Sequence, residues 1–365
     1  MAKLPQLPSG SFAEMRMLMF SHDRPLQLAT HSGTFHADDC LAYVVLLGAL
    51  GLGLDNGTHV LLRTRDRVAL DAADIVWDVG GVADEARWRF DHHQPGAPKA
   101  PNGDPLSSVG LVWRTTSPGN SLTLGQRYVR NTLAGSGFPE VADDVVARIA
   151  ENVRYKFVRH VDLVDNGVER TAPTDLTALV DAFNSSWDEP SQSDPAAFEA
   201  RQLAGFLRAS RMVAVALEQQ VEKERGTVFA SQAVARAWEN CRSGITGLHP
   251  DLLELPRGMP WQRTAFELAL PILYVMSPEP DGRWKLQAMP AEKGSLRNRL
   301  DMPEAWRGLQ DAALEQACGI PGAAFVHRSG HLAIAATRDA ALAMAQACLA
   351  TRPSPAEALR KAWGR

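Results

Sequence analysis

The stretch Leu26-Gln27-Leu28-Ala29-Thr30-His31-Ser32-Gly33-Thr34-Phe35-His36-Ala37-Asp38-Asp39 decides the fold, together with the apolar run that follows it to Leu50. Residues 26–30 are short and apolar, as in a buried strand. The Gly33 neighbourhood breaks the run, and from Ala37 to Leu50 the apolar pattern is helical. A strand, a loop and a helix follow in that order.

Working outward, Val60 to Thr64 and Asp74 to Val79 are two more short runs rich in β-branched or apolar residues, the second closed by Gly80-Gly81; Arg87 to Phe90 reads as a further short strand. Strands alternating with helices imply an α/β fold, with a mostly parallel sheet flanked by helices. From Ser107 to Val164 the chain is mainly helical, with breaks at Ser117-Pro118-Gly119 and from Gly135 to Pro139. Val141 to Val158 is its clearest amphipathic part. A second long helix is expected over 195–225, running into Gly226. Beyond it, Leu268 to Met276 and Arg283 to Met289 flank Pro280-Asp281-Gly282, the pattern of a β-hairpin. Ala323 to Val326, Leu332 to Ala335 and the helical Asp339 to Ala350 complete a smaller C-terminal α/β domain.

A chain of 365 residues exceeds the usual size of one domain. The expected division is a peripheral lead-in over 1–24, a larger domain over 25–220 and the smaller one over 221–365. Hydrophobic residues at 45% and charged residues at 22% supply an ordinary globular core. A net charge of −4 argues against a protein that coats nucleic acid by bulk electrostatics. Cys40, Cys241, Cys318 and Cys348 lack the paired spacing of a zinc knuckle or disulfide framework and read as reduced thiols. No apolar run is long enough to span a bilayer, and no signal pattern opens the chain, so a cytoplasmic protein is expected.

Four places carry candidate chemistry. His31, His36, Asp38 and Asp39 cluster just past the first strand, at the edge where open α/β sheets bind ligands. Their imidazoles and carboxylates suit Mn²⁺, Mg²⁺, Zn²⁺ or Fe²⁺, although Asp38 or Asp39 also suits a helix N-terminus. Asp78 ends an apolar strand beside two glycines, where it can bridge cations or cap a turn. Asp91-His92-His93 follows another strand; adjacent side chains there point to opposite sides, so one imidazole can ligate while the other meets substrate, with Asp91 fixing a tautomer. Asp162 and Asp165 end a helix, where the dipole is unfavourable to acids unless a cation compensates. At most one of these two is needed as a ligand.

This set resembles the four motifs of the DHH phosphoesterase superfamily, and more closely the Myg1 family. The likeness runs through Thr30 to Asp38, Asp78-Val79-Gly80-Gly81-Val82, Phe90 to Gln94, Leu106 to Val112, Val161 to Val168, Trp284 to Pro290, Pro303 to Leu309 and Gly319-Ile320-Pro321-Gly322. The resemblance implies a DHH-type catalytic domain, a C-terminal domain that binds substrate, a two-ion Mn²⁺ centre with Mg²⁺ or Zn²⁺ as substitutes, and 3′–5′ exonuclease activity on RNA or short oligonucleotides. Carried over, His36 and His31 would hold one ion, and Asp38, His92 and Asp165 (or Asp162) the other, with Asp78 bridging; His93, Asp91 and Asp39 would serve catalysis. The wider superfamily usually has Asp where His36 stands. Of the basic residues in the second domain, Arg299 and Arg307 lie in or beside family-like text and, with Arg297 and Lys285, are the candidates for phosphate contact. After Ser329-Gly330 the relatives tend to have further glycines, where this chain has His331 to Ala336.

A small-molecule phosphohydrolase acting on a cyclic dinucleotide, a nucleotide or pyrophosphate is the main rival reading; a non-catalytic metal-binding protein is the third. The acidic balance favours short substrates over long polyanions. A homodimer is compatible with the sequence but not called for by it.

Overall fold

The computed structural model describes residues 24–54, 57–116, 121–189 and 193–351. The expected lead-in, apart from Arg24, and the break at Ser117-Pro118-Gly119 lie outside the described residues. The chain divides into two compact units between Gly226 and Thr227.

The first unit is built on a five-stranded sheet of β1 (Leu26–Thr30), β2 (His59–Arg63), β3 (Ile75–Trp77), β4 (Ala83–Asp84) and β5 (Arg89–Phe90), in the order β2-β1-β3-β5-β4. β2, β1, β3 and β5 run parallel, and β4 returns antiparallel along β5. α1 (Ala37–Leu50) follows β1 and is buried on every side except at Gly48, which explains its apolar residues all round the helix. Gly48 has no Cβ because the Tyr128 ring of α4 (Leu124–Gly135) occupies that place. α2 (Arg67–Ala72) joins β2 to β3, and α3 (Ser108–Arg114) packs on α1.

The amphipathic stretch from Val141 is three pieces in one run. α5 (Asp143–Val153) passes through a π turn at Arg154–Val158 into α6 (Arg159–Asp165). α7 (Leu176–Asp181) comes next, then α8 (Pro195–Arg242). α8 does not stop at Gly226 as expected. An interior glycine costs roughly 1 kcal/mol against alanine, and burial of Val221, Val228 and Val234 on either side outweighs it.

The second unit has its own five-stranded sheet, of mixed direction. β6 (Leu252–Glu254) runs parallel to β7 (Tyr274–Pro278); β8 (Trp284–Ala288), β10 (Leu332–Ala335) and β9 (Ala323–Val326) follow antiparallel, in the order β6-β7-β8-β10-β9. The hairpin is formed by β7 and β8, but its first strand starts at Tyr274. Upstream, α9 (Gln262–Glu267), the left-handed Ala269 and the N–H-less Pro271 exclude a ladder. α10 (Asp311–Cys318) and α11 (Arg338–Ala350) complete the unit. Trp306 is buried in its core and Trp284 packs partly against it. Cys40, Cys241 and Cys348 are buried thiols, Cys318 is partly exposed, and all four are free.

Candidate metal centre

Parallel strands bring the ends of β1, β3 and β5 to one edge of the first sheet. His31 follows β1, Asp78 follows β3 and Asp91-His92-His93 follow β5. His36 precedes α1, whose first turn carries Asp38 and Asp39, and Asp165 ends α6. Asp78 takes a left-handed backbone, φ 58°, ahead of Gly80 and Gly81 at positive φ. A non-glycine residue there carries strain, which surrounding contacts must hold in place.

The Asp78 carboxylate stands between two imidazoles. Its Oδ2 is 3.2 Å from His31 Nε2, and its Oδ1 is 3.2 Å from His92 Nε2. His92 Nε2 also lies 3.1 Å from Asp165 Oδ2 and 3.9 Å from Asp38 Oδ2, and His31 Nε2 lies 3.0 Å from Asp39 Oδ2. Among the described residues, three overlapping groups have ligand atoms close enough to share an ion: His31, His36 and Asp78; Asp78, His92 and His93; His36, Asp38 and Asp165. Asp78 and His36 each belong to two of them.

The electrostatics call for cations. Asp38 and Asp39 have no solvent exposure and Asp78 almost none. Burial first, then the charges of Asp78, Asp165 and Asp39, push the Asp38 carboxyl well above the usual range. Burial opposes charge on His31 and His92, yet adjoining carboxylates prevail and lift each to about 10: Asp39 and Asp78 for His31, Asp165 and Asp78 for His92. Burial likewise pulls Asp78 up, but those two imidazoles hold it down at about 2. Protons here occupy the places divalent ions compete for. Asp38 Oδ1, Asp78 Oδ1 and His92 Nε2 are shielded from water with no hydrogen bond of good geometry, and an imidazole and carboxylate donor set suits Mn²⁺, Zn²⁺ or Mg²⁺. The residues therefore fit a divalent metal.

Neighbours fix these ligands. Ser108 Oγ donates to Asp38 Oδ2 at 2.6 Å. Asp91 Oδ1 accepts from the backbone of His92 and pairs with His93 Nδ1 at 2.7 Å, while its Oδ2 accepts from Gly81 N–H. Asp39 is outside the three groups; it accepts from the His36 N–H, and its other oxygen faces His31. Asp162 is directed elsewhere: Ser107 donates to its Oδ1 from N–H and Oγ, and Arg154 Nη2 pairs with its Oδ2 at 2.6 Å. Of the two helix-end acids, Asp165 reaches the cluster.

A cleft of about 360 Å³ opens on the cluster, lined by His31, His36, Asp78, Asp91 and His93 and also by Arg65, Gly80, Gly81 and Gln94. The sequence reading did not single out Arg65 or Ser108. Arg65 follows β2, the parallel neighbour of β1, so the rule that located His31 also points to it. In the second unit, Arg299 Nη1 donates to the Leu270 and Ile272 carbonyls, Arg307 Nε to the Met302 carbonyl, Lys285 pairs with Glu279, and Arg297 makes a 3.4 Å contact with Glu292. All four candidate phosphate contacts thus have partners within that unit. Among the described residues, no helix is long and apolar enough to cross a membrane.

The chain is 34% identical to the MYG1 exonuclease of Bos taurus, over 92% of this chain and 87% of that protein, and 33% identical to the MYG1 exonuclease of Homo sapiens, over 90% and 87%. It is 28% identical to the MYG1 protein of Dictyostelium discoideum, over 88% and 95%. The profile of the MYG1 exonuclease family, described as an uncharacterised protein family (UPF0160), matches residues 27–349, and this chain belongs to that family.

Proposed function

We propose that this chain is a metal-dependent phosphodiesterase that removes nucleotides from the 3′ end of RNA or short oligonucleotides, using two divalent ions, Mn²⁺ by preference, in a cytoplasmic setting. The observation that carries the reading is Asp78, with one oxygen beside His31 and the other beside His92. In this reading His31 and His36 would hold one ion, Asp38, His92 and Asp165 would hold the other, and Asp78 would be shared by both. Bound there, such ions supply Lewis acidity toward a phosphodiester and make water a better nucleophile.

The chain's own residues do the rest. Asp91 pairs with His93 Nδ1 and leaves the Nε2 edge for the substrate. Asp39 and Ser108 hold His31 and Asp38 against rotation. Arg65, exposed on the lip of the cleft, is suited to a phosphate oxygen. Arg297, the most exposed of the four basic candidates in the second unit, is the one best able to exchange its carboxylate for a phosphate. A cleft of this volume suits a terminal nucleotide better than a duplex, which supports trimming from an end. The same size keeps a second reading in play, hydrolysis of a cyclic dinucleotide, a nucleotide or pyrophosphate.

The test is to supply metal-stripped protein with Mn²⁺, Mg²⁺ or Zn²⁺ and present 3′- and 5′-labelled short RNA, short DNA, cyclic dinucleotides and pyrophosphate. Mononucleotides released stepwise from the 3′ end of RNA support the proposal. Turnover of pyrophosphate or cyclic dinucleotides alone transfers it to the second reading, and no turnover with any ion refutes both.

A further inference from the structure

We infer that Asn184, which belongs to none of the groups able to share an ion, is a positioning residue for the metal centre that holds the backbone from which His36 projects; the inference rests on the reading of that cluster as a metal site. Phe35 is fully buried but lies in neither strand nor helix, so its main-chain N–H and C=O have no ladder to join. Buried backbone groups need partners. Asn184 supplies both: the Phe35 N–H donates to Asn184 Oδ1 at 3.0 Å, and Asn184 Nδ2 donates to the Phe35 carbonyl at 2.9 Å, across 149 positions of sequence. A carboxamide can do this because it carries an acceptor and a donor side by side.

The second bond bears on the site. The carbonyl that Asn184 grips belongs to the peptide leading into His36, the residue that opens α1 and a member of two of the three groups. The His36 side chain is exposed, so packing does little to aim it and the backbone it leaves sets its direction. Asn184 is itself fixed. Its N–H donates to the Asp181 carbonyl at 3.0 Å at the end of α7, and the N–H of Ser185 donates to the buried Gln202 of α8 at 3.2 Å. α8 comes so close here that a Cβ on Gly205 would lie 2.5 Å from the Phe183 carbonyl oxygen and 3.3 Å from the Phe35 ring. Arg63, at the end of β2, donates to the Gly33 carbonyl at 2.7 Å, with its guanidinium 5.3 Å from the centre of the Phe35 ring and 5.2 Å from that of Phe206. The loop from His31 to His36 is thus fastened at Gly33 and at Phe35. Arg63 is also packed against two rings, whereas Asn184 is only half-buried, so truncating it releases Phe35 without opening a large cavity.

The test titrates Mn²⁺ calorimetrically into the full chain freed of metal by a chelator, and records the visible absorption of the Co²⁺-loaded protein, which reports ligand geometry independently of turnover. In Asn184→Ala, Mn²⁺ should bind about tenfold or more weakly and the Co²⁺ bands should shift, with a cooperative thermal transition retained. Gln202→Ala frees the Ser185 N–H but leaves Phe35 held, and so controls for a merely structural role: its thermal midpoint should fall while Mn²⁺ affinity and the Co²⁺ spectrum stay as in the wild type. If Asn184→Ala does not fold, Asn184→Asp decides, since it keeps the acceptor for the Phe35 N–H, loses the donor to the carbonyl, and adds a charge that by itself favours a cation; weaker Mn²⁺ binding there supports the assignment. An affinity no weaker than the wild type's in the deciding Asn184 variant, or an equal loss in Gln202→Ala, would overturn it and leave the metal centre standing. A wild-type chain that binds neither ion would overturn the metal reading and this inference with it.

Discussion

The Ser108 hydroxyl donates to Asp38 Oδ2 at 2.6 Å, tying the start of α3 to the first turn of α1 across 70 positions of sequence. Both side chains are fully buried, so neither has water as a substitute partner. Ser108→Ala is expected to lower metal affinity roughly 10–100-fold, the usual effect of losing a group that orients a ligand. Calorimetric titration with Mn²⁺ checks this; unchanged affinity would remove Ser108 from the support of the site.

Asp165 and Asp162 should separate by phenotype. Asp165→Asn, at the cluster, is expected to reduce metal-dependent turnover by more than about 10²-fold with the metal-free thermal midpoint little changed. Asp162→Asn removes a buried carboxylate paired with Arg154 and Ser107 and should destabilise the fold by about 3 kcal/mol. Chemical denaturation and initial rates on both variants supply the comparison, and a reversed pattern would reassign the two acids.

Gly110 has its Cα where a Cβ would lie 2.5 Å from Asp162 Oδ1, inside any allowed contact. Gly110→Ala must displace α3 or that carboxylate, at about 1–3 kcal/mol for overpacking. A denaturant midpoint equal to that of the wild type would show that the helix yields freely.

The pH dependence has opposite signs with and without metal. In the metal-free chain His31 and His92 sit at about 10, above the ordinary 6.5 of an unfolded imidazole. The stability they contribute is therefore complete below 6.5 and lost as pH rises through about 10. Ligation requires the deprotonated imidazole, so metal affinity should rise over the same interval. Thermal midpoints of metal-free protein should fall from neutral toward pH 10 while the increment given by Mn²⁺ grows; an increment that shrinks with pH would exclude His31 and His92 as ligands.

The strand, loop and helix at 26–50 were legible in the sequence because the information is local. A short apolar run, a glycine and a helical apolar pattern follow from backbone sterics and burial within a few residues, and β1 and α1 have the expected bounds. Likewise the strand-end positions of His31, Asp78 and Asp91 were readable, since the carboxyl edge of a parallel sheet is set by element order. Gly226 shows the limit. Its local preference ends a helix, and only distant packing on Val221, Val228 and Val234 carries α8 to Arg242.

What the sequence determined by itself was the inventory of acids and imidazoles and the sheet edge that would present them. The tertiary structure decided which helix-end acid lies beside His92, Asp165 rather than Asp162, the structural commitments of Arg299 and Arg307, and the place of Ser108 against Asp38. Those outcomes depend on which groups meet across long stretches of chain. A carboxylate within reach of Ser107 and Arg154 is satisfied in place, whereas one beside His92 is left facing the cluster, and no local pattern distinguishes the two.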